Sequence, residues 1–238
     1  VRGNIHLTKV DSEYPDNKLT GATFEVYKDS NGSGKLDDGD ELLGTLTEKE
    51  IGSYEMKDLF YGRYFVKETK APEGFVLDTG VYEVMIDTDG KTCEVENKAG
   101  VGFINEAMRG NLKIVKTSSD GKIKGFAFRI TGANGYDIIL ETNDKGEIVI
   151  EGIRIGDYTV SEVSNSASAM YVLPADKKAT VKTGSTTIVE MHNVLRDTPK
   201  TGDATNLPLL YALAGLSAAG IAVTAFVGFK KKKKEGND

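Results

Sequence analysis

Cysteine, histidine and tryptophan are nearly missing from this chain. Among 238 residues Cys93 is the single cysteine, His6 and His192 are the only histidines, and tryptophan is absent. One thiol excludes an internal disulfide, so whatever stiffens the chain must be something else. Cys93 lies in the polar stretch Lys91-Thr92-Cys93-Glu94 with no second thiol to pair with. No His/Cys metal cluster, no Ser/His/Asp set and no phosphate-binding glycine loop can be assembled from this inventory, and a conventional enzyme is not expected. Positive charge is also short, at 30 Lys and Arg against 36 Asp and Glu. Residues 203–238 hold five lysines against Asp203, Glu235 and Asp238, so the preceding part carries a net charge of −8. A surface of that sign makes nucleic acid an unsuitable partner.

Helical periodicity and long apolar runs are absent until Leu207, where 23 uncharged residues run to Phe229. As a helix that length crosses a bilayer core of roughly 30 Å. Lys230 to Lys234 follow, and acidic chain precedes. The one-sided lysine cluster places the tail of 230–238 in the cytoplasm and the rest outside. Between them, in the linker 196–206, stands Asp197-Thr198-Pro199-Lys200-Thr201-Gly202. The order of motif, apolar stop and basic tail resembles the cell-wall sorting signal of Gram-positive surface proteins, with Thr198 where leucine is usual. The resemblance implies that a sortase cysteine cleaves between Thr201 and Gly202, within the motif Pro199, Lys200, Thr201 and Gly202. The acyl group then passes to a peptidoglycan or pilin amine. The membrane is a partner only before sorting, and the final location is the extracellular cell wall. The chain opens at Val1 with no leader sequence, although an exported protein needs one, so a longer protein is expected.

The residues ahead of the ending, about 195, are enough for two domains of ordinary size. The chain repeats itself at an offset near 100. Gly3-Asn4-Ile5-His6-Leu7-Thr8-Lys9 matches Gly110-Asn111-Leu112-Lys113-Ile114-Val115-Lys116, and Gly62-Arg63-Tyr64-Phe65-Val66-Lys67-Glu68 matches Gly156-Asp157-Tyr158-Thr159-Val160-Ser161-Glu162. Each copy is a string of short alternating segments between Gly, Asn and Asp turns, the pattern of an antiparallel sandwich. The fold class is therefore all-β: two tandem sandwiches, 1–108 and 109–195, followed by a single transmembrane helix.

Alternation along a strand aims a lysine inward with Ile5 and Leu7, and again with Leu112 and Ile114. It aims Glu68 inward with Tyr64 and Val66, and Glu162 with Tyr158 and Val160. Near the end of each copy, Val101, Phe103 and Asn105 share a face, as do Val189, Met191 and Asn193. A buried Lys, Glu and Asn on three strands is costly unless the three satisfy one another. The arrangement resembles the Cna B-type (SpaA-type, prealbumin-like) domains of Gram-positive adhesins and pilins. In that family Lys and Asn join in an intramolecular isopeptide bond. The resemblance implies bonds Lys9–Asn105 and Lys116–Asn193, with Glu68 and Glu162 catalytic. The first copy also carries the family's segment after the glutamate, Ala71-Pro72-Glu73-Gly74, which the second lacks.

The copies differ most between Gly21 and Gly52, where the first holds ten extra residues. They fall within Asp29–Asp40, which has oxygen-bearing side chains at EF-hand spacing: Asp29, Asn31, Ser33, Asp37 and Asp40, plus the Lys35 carbonyl, with Gly34 at the sharp turn. Ca²⁺ is the one cofactor to expect, and none is required. Tyr14-Pro15-Asp16-Asn17 has the outline of a pilin motif with Asp16 where lysine is required, and it reads as a turn. The expected role is the stalk and anchor of a wall-attached adhesin or pilin-like protein. A host or matrix ligand would be met by a more N-terminal region. The alternatives are a ligand-binding module and a membrane-retained accessory protein.

Overall fold

A computed structural model describes residues 1–197. The sorting motif Pro199–Gly202, the apolar run 207–229 and the basic tail lie outside the described residues. Among the described residues, no helix is long and apolar enough to cross a membrane.

The first sandwich contains β1 (Arg2–Asp11), β2 (Thr23–Lys28), β3 (Glu41–Thr45), β4 (Thr47–Glu50), β5 (Ser53–Phe60), β6 (Gly62–Lys70), β7 (Val81–Ile86), β8 (Thr92–Glu94) and β9 (Phe103–Asn105). One sheet runs β4-β5-β1-β8, with β9 also paired to β1, and the other runs β3-β2-β6-β7. The second sandwich contains β10 (Arg109–Ser118), β11 (Ala127–Thr131), β12 (Asp137–Glu141), β13 (Glu147–Arg154), β14 (Gly156–Val163), β15 (Tyr171–Val172), β16 (Lys177–Val181) and β17 (Thr186–Leu195). Its sheets run β13-β10-β17-β15 and β12-β11-β14-β16. The only helical turn described is the 3₁₀ turn Ala133–Gly135.

The alternation read from the sequence is realised in both copies. Ile5, Leu7 and Lys9 of β1 are buried and alternate with the half-exposed Asn4, His6 and Thr8, after which Val10 and Asp11 are buried too; Leu112, Ile114 and Lys116 of β10 keep the same rhythm to the strand's end. They pack against Phe24, Val26, Tyr64 and Val66 in one core and Phe128, Ile130, Tyr158 and Val160 in the other. Glycine opens each first strand for a steric reason: a Cβ on Gly3 would lie 2.8 Å from the Lys91 carbonyl, and one on Gly110 would collide with that of Lys182. Both strands bulge immediately afterwards.

The last strands differ. β17 pairs in parallel with β10 over Asn111–Ser118, an unbroken ladder. In the first sandwich β1 pairs with β8 over Asn4–His6 and then with β9 over Lys9–Asp11. The segment between β8 and β9 turns through Lys98 and Gly102, so Val101 sits in a turn and not on the strand that its alternation with Phe103 and Asn105 suggests. Gly102 permits the interruption: its φ of +128° is open to glycine, and a Cβ there would meet the Thr8 carbonyl at 2.7 Å.

The sandwiches join within one compact unit, Val1–Val194. At the junction Arg154 of β13 binds Asp11 of β1, Arg109 pairs with Glu13, and Asn17 donates to Asn134. The Arg154 guanidinium lies 5.2 Å from the ring centre of Tyr14 and 5.5 Å from that of Phe75.

Candidate functional site

Each sandwich holds one Lys, one Glu and one Asn between its sheets. Lys9 and Asn105 come from one sheet and Glu68 from the other, and all three are buried. Lys116, Asn193 and Glu162 repeat this in the second sandwich, with Lys116 only 1% exposed. The register is the same in both. Asn105 stands opposite Asp11, two residues beyond Lys9, and Asn193 stands opposite Ser118, two residues beyond Lys116. On parallel strands residues two apart share a face, so lysine and asparagine side chains emerge into the same space. Across the core, Glu68 pairs with Phe24, and Glu162 with the equivalent Phe128.

The hydrogen bonds fix the amide orientation of Asn105. Its Nδ2 donates to Glu68 Oε2 at 2.8 Å and to the Val76 carbonyl at 2.5 Å. The Val76 carbonyl can only accept, so the reversed amide would set oxygen against oxygen there. Glu68 Oε2 also accepts from the Asp78 N–H at 2.8 Å. Glu68 Oε1 and Asn105 Oδ1 have no hydrogen-bond partner although both are buried. Lys9 Nζ donates to the Phe103 carbonyl at 2.9 Å and lies 5.3 Å from the centre of the Phe103 ring. In the second sandwich Asn193 Nδ2 donates to Glu162 Oε1 at 2.6 Å, while Glu162 Oε2 and Asn193 Oδ1 are buried without partners. Lys116 Nζ donates to the Thr117 carbonyl and lies 4.3 Å from the Phe126 ring centre.

Burial acts on lysine and glutamate in opposite senses because it penalises whichever form is charged. It lowers the Lys9 pKa to about 8 against the pull of Glu68, Asp78 and Asp11. It raises that of Glu68, offset by hydrogen bonds from Asn105 and Asp78. Lys116 is likewise lowered and Glu162 raised, desolvation being the largest cause in each. Each core therefore moves toward a neutral amine beside a neutral acid, with an amide hydrogen-bonded to the acid. The groups on hand are a nucleophile, an electrophilic carboxamide and a proton carrier next to the nitrogen that would depart.

The sequence reading missed the frame around Asn105. Asp78 and Val76, beyond Ala71-Pro72-Glu73-Gly74, supply an N–H to Glu68 and a carbonyl to Asn105. Among the described residues, Glu162 and Asn193 share one hydrogen bond and have no counterpart of these. The segment that distinguishes the copies was the available signal. The inter-sandwich partners Asp11 and Arg154 had none, being 143 residues apart.

The Asp29–Asp40 loop connects β2 to β3 and closes on itself. Gly34 N–H donates to Asp29 Oδ2, Asn31 Nδ2 to Asp37 Oδ1, Asp37 N–H to Asp40 Oδ2, and Ser33 Oγ to the Lys35 carbonyl. Gly34 has φ +74°, as its sharp turn requires. Arg63 Nη1 sits 3.3 Å from Asp29 Oδ2, and Asp29 Oδ1 is buried with no partner. Among the described residues no group of three or more His, Cys, Asp or Glu side chains is gathered as a metal site.

Residues 3–99 and 110–195 each match the SpaA prealbumin-like fold domain. The chain belongs to this family, carrying two of its domains in tandem. It is 26% identical over 194 residues to the trypsin-resistant surface T6 protein of Streptococcus pyogenes serotype M6, covering 68% of this chain and 34% of that protein. Among solved structures it resembles the Bacillus anthracis TIE protein, with a TM-score of 0.58 and 23% identity over 82% of this chain and 34% of the other. It is also similar to a minor pilin of Streptococcus agalactiae, at 18% identity and a TM-score of 0.39 over 84% of this chain and 99% of that one. The chain thus spans about a third of the T6 and TIE proteins.

Proposed function

We propose that the chain is the shaft and anchor segment of a Gram-positive surface protein, adhesin or pilin-like, whose sandwiches are each locked by an internal Lys–Asn isopeptide bond. The observation that carries this reading is the buried Lys-Glu-Asn set, built twice: Lys and Asn in one register on the first and last strands of each domain, and Glu on the facing sheet. The Lys9 amine attacks Asn105 Cγ, and a C–N bond forms. Glu68 passes a proton to Nδ2 while the lysine nitrogen gives one up, and the Cγ–Nδ2 bond breaks to release ammonia. Lys116, Asn193 and Glu162 do the same. Each reaction is a single turnover on the chain's own atoms, so the protein is not an enzyme in the ordinary sense. A bond between the first and last strands lets tension pass straight through each domain without unzipping it.

Anchoring follows from the sorting motif: a sortase cleaves at Thr201-Gly202 and joins the threonine to a peptidoglycan or pilin amine. The relation to a streptococcal surface protein supports an extracellular wall location. Fractionating cells with active sortase tests this. The account expects the protein in the covalent wall fraction without its lysine tail, and a detergent-extractable protein keeping Lys230–Lys234 would overturn it.

The Asp29–Asp40 loop carries a second proposal: it takes a Ca²⁺ when Arg63 leaves Asp29. The buried, unpartnered Asp29 Oδ1 supports it. Calcium titration should raise the melting temperature of the wild type, and more so after Arg63→Ala removes the competing cation. No heat and no shift at millimolar metal in either protein would leave an ordinary acidic loop.

A further inference from the structure

The first sandwich lacks the continuous ladder that holds Asn193 in the second, yet Asn105 must be held at least as firmly. A closed circuit of polar contacts does this. Ile104, the residue before Asn105, is bracketed by one side chain: its N–H donates to Asn97 Oδ1 at 2.6 Å, and Asn97 Nδ2 donates to its carbonyl at 2.8 Å. The Asn97 carboxamide therefore satisfies the donor and acceptor that a neighbouring strand would otherwise meet. Asn97 Nδ2 also donates to Asp78 Oδ2 at 2.7 Å. Asp78 is itself pinned, by Tyr82 Oη to Oδ2 at 2.8 Å and by Gly80 N–H to Oδ1 at 2.6 Å. The Asp78 N–H then reaches Glu68 Oε2, which accepts from Asn105 Nδ2, and the circuit closes.

We propose that Asp78 and Asn97 are positioning residues for isopeptide formation in the first sandwich, setting the Asn105 carboxamide against Glu68 where the broken last strand cannot. The inference rests on the cross-link reading above and adds to it a division of labour between the copies: side chains 78 and 97 do for Asn105 what the β10–β17 ladder does for Asn193.

The groups facing the site differ in charge. Lys9, Glu68, Asp78 and Asp11 interact there, and Tyr82 stays protonated, its pKa pushed up to about 12 by burial and by Asp78. Asp78, held low by Asn97, Gly80 and Tyr82 against the effect of burial, remains a carboxylate. Its charge favours the protonated forms of both Glu68 and Lys9. Asp78→Asn therefore removes a charge as well as a link, while Asn97→Ala removes the link alone.

The test is a time course of bond formation in the full chain after a pulse of synthesis. Mass analysis of proteolytic peptides scores the two bonds separately, and near-UV circular dichroism verifies that each variant is folded. Both variants should form the Lys9–Asn105 bond about tenfold to a hundredfold more slowly, with the Lys116–Asn193 bond unchanged as an internal clock. Asp78→Asn should also move the pH optimum of the first bond downward, and Asn97→Ala should leave it in place. A mere loss of stability would not produce that split. Tyr82→Phe keeps the ring against Phe103, 5.0 Å between centroids, and serves if the others do not fold; it should slow the first bond to a smaller extent. First-bond rates equal to wild type in the folded variants would overturn the proposal, and so would equal slowing of both bonds. A wild type with no ammonia loss would instead sink the cross-link reading itself.

Discussion

Arg154 of the second sandwich grips Asp11 of the first with both terminal guanidinium nitrogens, at 2.6 and 3.2 Å. Asp11 is also the register partner of Asn105, and the Ser12 N–H donates to the Asn105 carbonyl at 3.2 Å. The junction between the sandwiches is thus fastened to the strand pair that would carry the first cross-link.

Arg154→Ala should loosen that junction. Asp11 is 2% exposed, and removing one partner of a buried ion pair strands the other charge at a cost of about 3 kcal/mol. Small-angle scattering should show a broader spread of inter-sandwich orientations while each domain keeps its fold. Burial pushes the Asp11 pKa up, but hydrogen bonds from Arg154, Glu13 and Tyr14 bring it below the usual carboxylate value. The clasp's contribution is therefore present above the ordinary carboxylate range and disappears as the pH falls through the depressed pKa. The Arg154→Ala chain should lack this acid transition.

Glu68→Ala should leave the first sandwich folded but unlinked. A closure from residue 9 to residue 105 acts on the unfolded chain like a disulfide over a loop of similar size, about 4–5 kcal/mol in the loop-entropy account. The melting transition of that domain should fall by more than about 15 °C. Scanning calorimetry, with the second domain's transition as reference, checks it.

The titration of Lys9 supplies a signature that the cross-link would erase. In Asn105→Ala the amine stays free with a folded pKa near 8 against 10.5 unfolded. Between those values the unfolded chain binds more protons, so stability rises with pH across that window, by up to about 1.4 kcal/mol per unit. In the wild type the nitrogen is an amide and has no such proton. Denaturant melts from pH 7.5 to 10.5 should therefore show an upward slope in the variant that is absent from the wild type.

The inward register of Lys9, Glu68 and Asn105, and of Lys116, Glu162 and Asn193, was legible because a strand has a period of two and a polar residue on an apolar face is conspicuous. The internal repeat made each assignment twice. The interruption of the first sandwich's last strand was not legible: Val101, Phe103 and Asn105 keep the alternation, and only the placement of Gly102 against the Thr8 carbonyl reveals the turn. Asp78, Asn97 and Tyr82 were invisible for a related reason. Asp78 and Asn97 lie in polar segments without periodicity, Tyr82 reads as an ordinary inward residue of β7, and the three acquire meaning only when the chain returns to bring them together. The Asp29–Asp40 spacing was readable as a loop, but Arg63, the cation seated on Asp29, comes from a neighbouring strand in the sheet and could not be read from the loop's own residues.

The intact mass of the folded wild-type chain, measured under denaturing conditions, tests the central claim most directly. Each bond expels one ammonia, so the account predicts a deficit of roughly 17 Da per bond and roughly 34 Da in total. The deficits should localise to peptides joining Lys9 to Asn105 and Lys116 to Asn193, with Glu68→Ala and Glu162→Ala each restoring one. A wild-type chain at its unmodified mass, with Lys9 and Lys116 free to react with amine reagents once unfolded, would contradict it.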